Sequence, residues 1–150
     1  MFARQGAPSP WRLYTPGEIV SGLKLFLDAI AKNSRGQFRI VYRKEDRTER
    51  DYFVAIRVEN SARGGGICLP SAFLDSLRDL TANARKYSAA GTRIGVSLVQ
   101  DADGVCVEVR DAGRGIPPGE IDEVVHFGVR GSNVRPDETR GGGFGLTKAY

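Results

Sequence analysis

Twice in this chain apolar residues recur near the 3.6-residue period of a helix, and after each run the period shortens to the two of a strand. The first stripe is Ile19, Val20, Leu23, Phe26, Leu27 and Ile30; the second is Phe73, Leu74, Leu77, Leu80, Ala84 and Tyr87. A helix with one apolar face must bury that face against another element, and the alternating runs supply the surface. Phe38, Ile40 and Tyr42 alternate with polar residues, and Phe53, Ala55, Ile56 and Val58 do so more loosely. Residues 93–99 and 105–110 form a second pair around Asp101-Ala102-Asp103-Gly104, a turn signal. Ile94, Val96 and Leu98 would then face the core with Val105, Val107 and Val109.

The ends of these elements are also written locally. Thr15-Pro16-Gly17-Glu18 is a capping box with proline at the first helical position, so the first helix starts there and runs to about Asn33. Leu69-Pro70-Ser71 opens the second helix, which extends to about Ser88. The charged run at residues 43–51 reads as the solvated tip of a hairpin. Gly6, Pro8 and Pro10 make residues 1–14 a loose lead-in. The order helix, hairpin, helix, hairpin, loop fits an α+β two-layer sandwich: one mostly antiparallel sheet with helices on one face, in a single domain over residues 15–150. At 150 residues and 41% hydrophobic content the chain supports one core of this kind.

Composition removes several function classes. No stretch approaches the roughly 20 apolar residues that span a bilayer, so a soluble, cytoplasmic chain is expected. The net charge of +4 comes from arginines scattered among acids rather than a basic block with aromatics, which argues against nucleic acid. Cys68 and Cys106 lie in apolar strand-like surroundings without metal-ligand spacing and are expected as buried free thiols.

Three segments carry chemistry. On the second helix Asp79, Asn83 and Lys86 fall on one flank, placing a carboxylate, an amide and an ammonium in a row. Such a row fits a magnesium triphosphate, with the amide oxygen as a ligand, the ammonium against phosphate, and the carboxylate as orienting group or base. Taken alone, the row fits a solvated helix side better. Asp111-Ala112-Gly113-Arg114-Gly115 follows a strand directly; the aspartate can accept from an exocyclic amine while the glycines let backbone approach a flat ligand. A plain turn has the same composition. Gly141-Gly142-Gly143-Phe144-Gly145-Leu146, at the start of a further expected helix, would turn backbone N–H groups toward phosphate oxygens. The long irregular stretch between Asp111 and Phe144 has the character of a functional loop.

In this order and spacing the three segments resemble the N, G1 and G2 boxes of bacterial sensor histidine kinases, members of the GHKL or Bergerat-fold ATPases. LRDLTANARKYS is similar to the N box, DAGRG to the G1 box and GGGFGLTKA to the G2 box, with HFGVRGSN where the F box and ATP lid belong. The resemblance covers roughly residues 14–150. It implies Mg-ATP as ligand, with Asn83 on Mg²⁺, Lys86 and Tyr87 at phosphate or ribose, and Asp111 reading the adenine amine. Gly113, Gly115 and Ile116 would shape the adenine pocket; Gly141, Gly143, Phe144, Gly145 and Leu146 would line the phosphate side; Arg130 would reach phosphate from the lid.

The chain departs from the pattern in places. Asp79 stands where many of these kinases have asparagine, and resembles the acid of the hydrolytic GHKL branch. Phe127 is alone where the F box often has two phenylalanines. The one histidine, His126, lies in the presumed lid, so the resemblance implies a phosphoacceptor histidine elsewhere, upstream or on a partner, and a response regulator downstream. The sequence stops at Tyr150, inside the helix expected after the G2 box, as a truncated domain would. An anti-sigma-factor-type serine kinase and a non-catalytic ATP-binding interaction module share the same boxes.

Overall fold

The computed structural model describes residues 10–62, 64–126 and 128–134. Its elements run β1 (Trp11–Tyr14), α1 (Pro16–Asn33), β2 (Ile40–Val41), β3 (Tyr52–Asn60), β4 (Ile67–Pro70), α2 (Ser71–Tyr87), β5 (Arg93–Gln100) and β6 (Val105–Arg110). The capping box closes as expected. The Thr15 hydroxyl accepts from the Glu18 amide at 3.2 Å, and the Glu18 carboxylate accepts from the Thr15 amide at 2.7 Å. Ile19, Leu23 and Leu27, four apart, form the buried line of α1.

A four-stranded sheet in the order β2-β3-β5-β6 carries both helices on one face. Val54, Ile94, Val96 and Leu98 meet the α1 and α2 stripes in a single core, with Val107 and Val109 packed against its margin. The α+β sandwich therefore stands. In the second pair of strands the expected hairpin forms, with Val96 opposite Val109 and Leu98 opposite Val107. The Asp101 side chain makes its turn by accepting from the amides of Asp103 and Gly104. Val105, expected inside, is exposed at the hairpin's start.

The first pair is corrected. β2 and β3 are parallel, Ile40 beside Tyr52 and Val41 beside Phe53, and β3 and β5 are parallel as well. The sheet is mixed rather than mostly antiparallel, because alternation specifies which faces of a strand are wetted and leaves its direction open. The charged run is a crossover loop with a short 3₁₀ turn at Lys44–Asp46. Asp51, 2% exposed, fastens it. Its carboxylate accepts from Arg39 Nε at 3.0 Å and Nη2 at 2.6 Å, and from the Thr48 amide and hydroxyl at 2.9 and 2.8 Å.

Those bonds, the Arg39 pair foremost, hold the Asp51 carboxyl well below its ordinary value near 3.8. A depressed carboxylate stabilises the fold above that ordinary value, and the contribution fades as pH falls toward the folded-state value. Asp51→Ala is expected to lower the melting midpoint by roughly 10 °C at neutral pH. Thermal circular dichroism should also show a smaller loss of stability on acidification than in the unsubstituted chain. Equal midpoints at neutral pH would contradict this.

Two further expectations are corrected. Trp11–Tyr14, placed in the loose lead-in, is a strand, pairing antiparallel with Ile67–Pro70 in a separate two-stranded ribbon. Ile67 and Leu69 turn inward while Trp11 and Leu13 stay exposed, and the Leu13 side chain lies where a Cβ on Gly66 would sit, 2.6 Å from its Cγ. Both cysteines are exposed. Cys68 occupies the outward register between buried Ile67 and Leu69, and Cys106 lies on β6, which has one sheet neighbour among the described strands. Among the described residues no helix is long and apolar enough to cross a membrane.

Candidate nucleotide site

The polar row is carried on α2, whose inner side buries Leu77, Thr81 and Ala84. Burying that line fixes the helix rotation and leaves Asp79, Asn83, Lys86 and Tyr87 half-buried along its border. The Lys86 ammonium lies 5.0 Å from the centroid of the Tyr87 ring, a cation–π contact that orders both side chains. Lys86 and Arg85 occupy the last turn, where positive charge suits the helix dipole.

The segment after β6 meets the end of this helix. Asp111 Oδ1 accepts from the Gly113 amide at 2.7 Å, bending the chain back. Gly113 then passes so close to α2 that an added Cβ would lie 2.9 Å from the Tyr87 carbonyl oxygen and 2.6 Å from Asp111 Oδ1. The first two sequence-predicted segments are thus joined through Gly113 and Tyr87. Gly115 has φ +72°, a left-handed conformation that glycine adopts without strain. Ile116, 42% exposed, follows as an apolar surface beside it.

The residues beyond fold back on this loop. Arg114 Nη1 donates to the Asn133 carbonyl at 2.8 Å, and Asn133 Nδ2 donates to the Gly115 carbonyl at 3.0 Å. The Glu120 carboxylate accepts from the Ser132 amide at 2.7 Å and from the Ser132 hydroxyl. These bonds, the hydroxyl first, hold the Glu120 carboxyl below its ordinary value. Val124 is buried beneath the returning segment. Sequence reasoning missed this latch, since Glu120, Ser132 and Asn133 belong to no periodic pattern and their pairing spans 12 to 19 residues.

Arg130 is exposed on the returning segment, two residues before Ser132, and His126 is exposed in the turn preceding it. Gly141, Gly143, Phe144, Gly145 and Leu146, and Phe127 of the F box, lie outside the described residues. Among the described residues no three Asp, Glu, His or Cys side chains gather around one point. A magnesium ion here would be held by the Asn83 amide oxygen together with phosphate oxygens and water, a donor set that suits Mg²⁺. A concavity of about 490 Å³ lies on the other face of the sheet, between Arg57, Arg93, Ser97 and Arg110. It touches Asp111 and Ala112 at one end but none of Asn83, Lys86 or Tyr87, so it is separate from the polar row.

The mixed sheet with two helices on one face matches the fold of solved histidine kinase catalytic domains. The chain superposes on the catalytic domain of histidine kinase ThkA with a TM-score of 0.59 at 13% identity, covering 92% of this chain and 77% of that one. The mycobacterial sensor histidine kinase MprB gives 0.58 at 22% identity, with 92% and 76% covered. The sequence matches the histidine kinase-, DNA gyrase B-, and HSP90-like ATPase family over residues 70–149, and the chain belongs to that family. It is 32% identical over 77 residues to the sensor histidine kinase CpxA of Escherichia coli K12, which is 51% of this chain and 16% of that protein. It is 36% identical over 73 residues to the sensor histidine kinase YvrG of Bacillus subtilis 168, which is 49% of this chain and 12% of that protein. The matched part is thus a small fraction of each relative's length.

Proposed function

We propose that the chain binds Mg-ATP between the α2 border and the segment following Gly115, as the catalytic domain of a two-component sensor histidine kinase. The observation that carries this reading is the close approach of Gly113 to the Tyr87 carbonyl, which brings the Asp111 loop against the last turn of α2. Asp111 accepts from the adenine amine, with Gly115 and Ile116 beside the base. Lys86 and Tyr87 approach phosphate or ribose, and Asn83 ligates Mg²⁺. Gly141, Gly143, Phe144, Gly145 and Leu146 close the phosphate side, with Arg130 as a further phosphate contact.

Phosphoryl transfer asks for alignment and charge neutralisation rather than covalent catalysis, and these residue types supply both. The γ-phosphate passes to a histidine outside this sequence, on the same polypeptide or on a partner protein, and from there to a response regulator. Sensor kinases among the relatives favour a cytoplasmic setting. Residues 15–150 act as one domain, onto which β1 is paired through β4.

Asp79, one turn before Asn83, favours a second reading in which an acid at this position deprotonates a hydroxyl or water, as in an anti-sigma-factor-type serine kinase. Asp79→Asn is expected to slow turnover about tenfold or more while nucleotide affinity is kept. Unchanged phosphotransfer and hydrolysis would rule out a base at this position.

Incubation with γ-labelled ATP and a histidine-bearing acceptor domain tests the main reading. Label that is lost in acid and retained in base identifies phosphohistidine. Acid-stable label on serine would transfer the assignment to the serine-kinase reading, and nucleotide binding without labelling of any acceptor would leave an ATP-binding interaction module.

A further inference from the structure

The last turn of α2 contains a charge that the proposed nucleotide site does not use. Arg85 is half-buried, and its Nε is enclosed with no hydrogen-bond partner among the described residues. Its guanidinium carbon lies 4.8 Å from the Phe38 ring centroid and 5.9 Å from that of Tyr52. The two rings meet edge to face, with centroids 5.4 Å apart and planes at 88°. Tyr52, at the start of β3, donates its hydroxyl to the Ser88 carbonyl at 3.3 Å. An arginine enclosed against two aromatic rings keeps its charge in a place where leucine would pack without desolvation.

Its neighbours give this placement a purpose. Asn83 lies two residues before Arg85, and Lys86 and Tyr87 directly after it. Three fastenings surround them: Arg85 on the rings, the Ser88 carbonyl on Tyr52, and the Tyr87 carbonyl against Gly113. The first two join the helix end to Phe38 and the start of β3, and the third joins it to the Asp111 loop. Resting on the proposed Mg-ATP site, we infer that Arg85, stacked on Phe38 and Tyr52, is a positioning residue that holds Asn83, Lys86 and Tyr87 in register for nucleotide.

The inference is tested on the full chain by calorimetric titration with Mg-ADP, at a temperature well below each variant's melting midpoint. Arg85→Ala is expected to weaken binding about five- to tenfold, as loss of a partly desolvated cation–π contact allows. Arg85→Lys, which keeps a cation over the rings, should recover most of that loss. Phe38→Leu should weaken binding alone and add little in the Arg85→Ala background. Tyr42→Phe serves as a control for destabilisation, because it removes bonds from the Tyr42 hydroxyl to Lys24 and Asp28 on α1. It should bind as the unsubstituted chain does.

Arg85→Ala binding as the unsubstituted chain does, or Tyr42→Phe losing as much affinity as Arg85→Ala, would overturn the inference. Failure of the unsubstituted chain to bind Mg-ADP would overturn the proposed site and this inference with it, a result distinct from either of those.

Discussion

Asp111→Asn is expected to weaken Mg-ADP binding about 100-fold and to leave the fold unchanged. One oxygen of the Asp111 carboxylate already accepts from the Gly113 amide. The second oxygen remains for the amine of an adenine ring. Asparagine has one acceptor oxygen, so it satisfies either the loop or the base and turns an NH₂ donor toward the other. Donor facing donor costs more than a missing bond, and a loss of about 3 kcal/mol corresponds to roughly two orders of magnitude in affinity. The side chain is exposed, so the melting midpoint should move little. Calorimetric titration checks the affinity, and binding within about threefold of the unsubstituted chain would contradict the role given to Asp111.

Gly113→Ala is expected to remove detectable nucleotide binding by a different route. The added carbon would lie 2.9 Å from the Tyr87 carbonyl oxygen and 2.6 Å from Asp111 Oδ1. Asp111 can swing aside, but the Tyr87 carbonyl is backbone at the end of a helix whose inner side is buried. The loop must withdraw, which breaks the Asp111–Gly113 bond and separates the two halves of the site together. Stability should fall by about 1–2 kcal/mol, since the strain falls on a loop outside the main core. A cooperatively melting Gly113→Ala chain that binds nucleotide normally would show that this close approach does not assemble the site. With Asp111→Asn the two effects should be strongly non-additive, because both act on one joint.

The parts legible in the sequence are those fixed by neighbours in the chain. The start of α1 follows from four consecutive residues, Thr15 to Glu18, whose side chains and amides satisfy each other. The β5–β6 hairpin follows from Asp101 and Gly104 between two alternating runs. Both apolar stripes located the helix faces, although Thr81 rather than Leu80 completes the inner line of α2 by returning its hydroxyl to the Leu77 carbonyl. Asp111 and Gly113 were legible as a turn with spare acceptors, and the resemblance to the kinase boxes made that turn a candidate site.

What escaped depends on partners distant in sequence. β2 contributes two residues to the sheet, too few for direction to be written locally, and buried Asp51 turns the following run into a crossover. β1 becomes a strand because β4 lies alongside it, a pairing across more than fifty residues that neither short run announces. The cysteines looked apolar in context, yet the pleat turns them outward. Arg85 reads as one more charge in a polar helix until Phe38 and Tyr52 are seen beneath it.

Titration of the purified chain with ADP and a non-hydrolysable ATP analogue, with and without Mg²⁺, tests whether the α2 border and the Asp111 loop together form a magnesium–nucleotide site. Saturable one-to-one binding that magnesium strengthens is expected. A chain that melts cooperatively yet binds neither nucleotide, with magnesium or without, would contradict it.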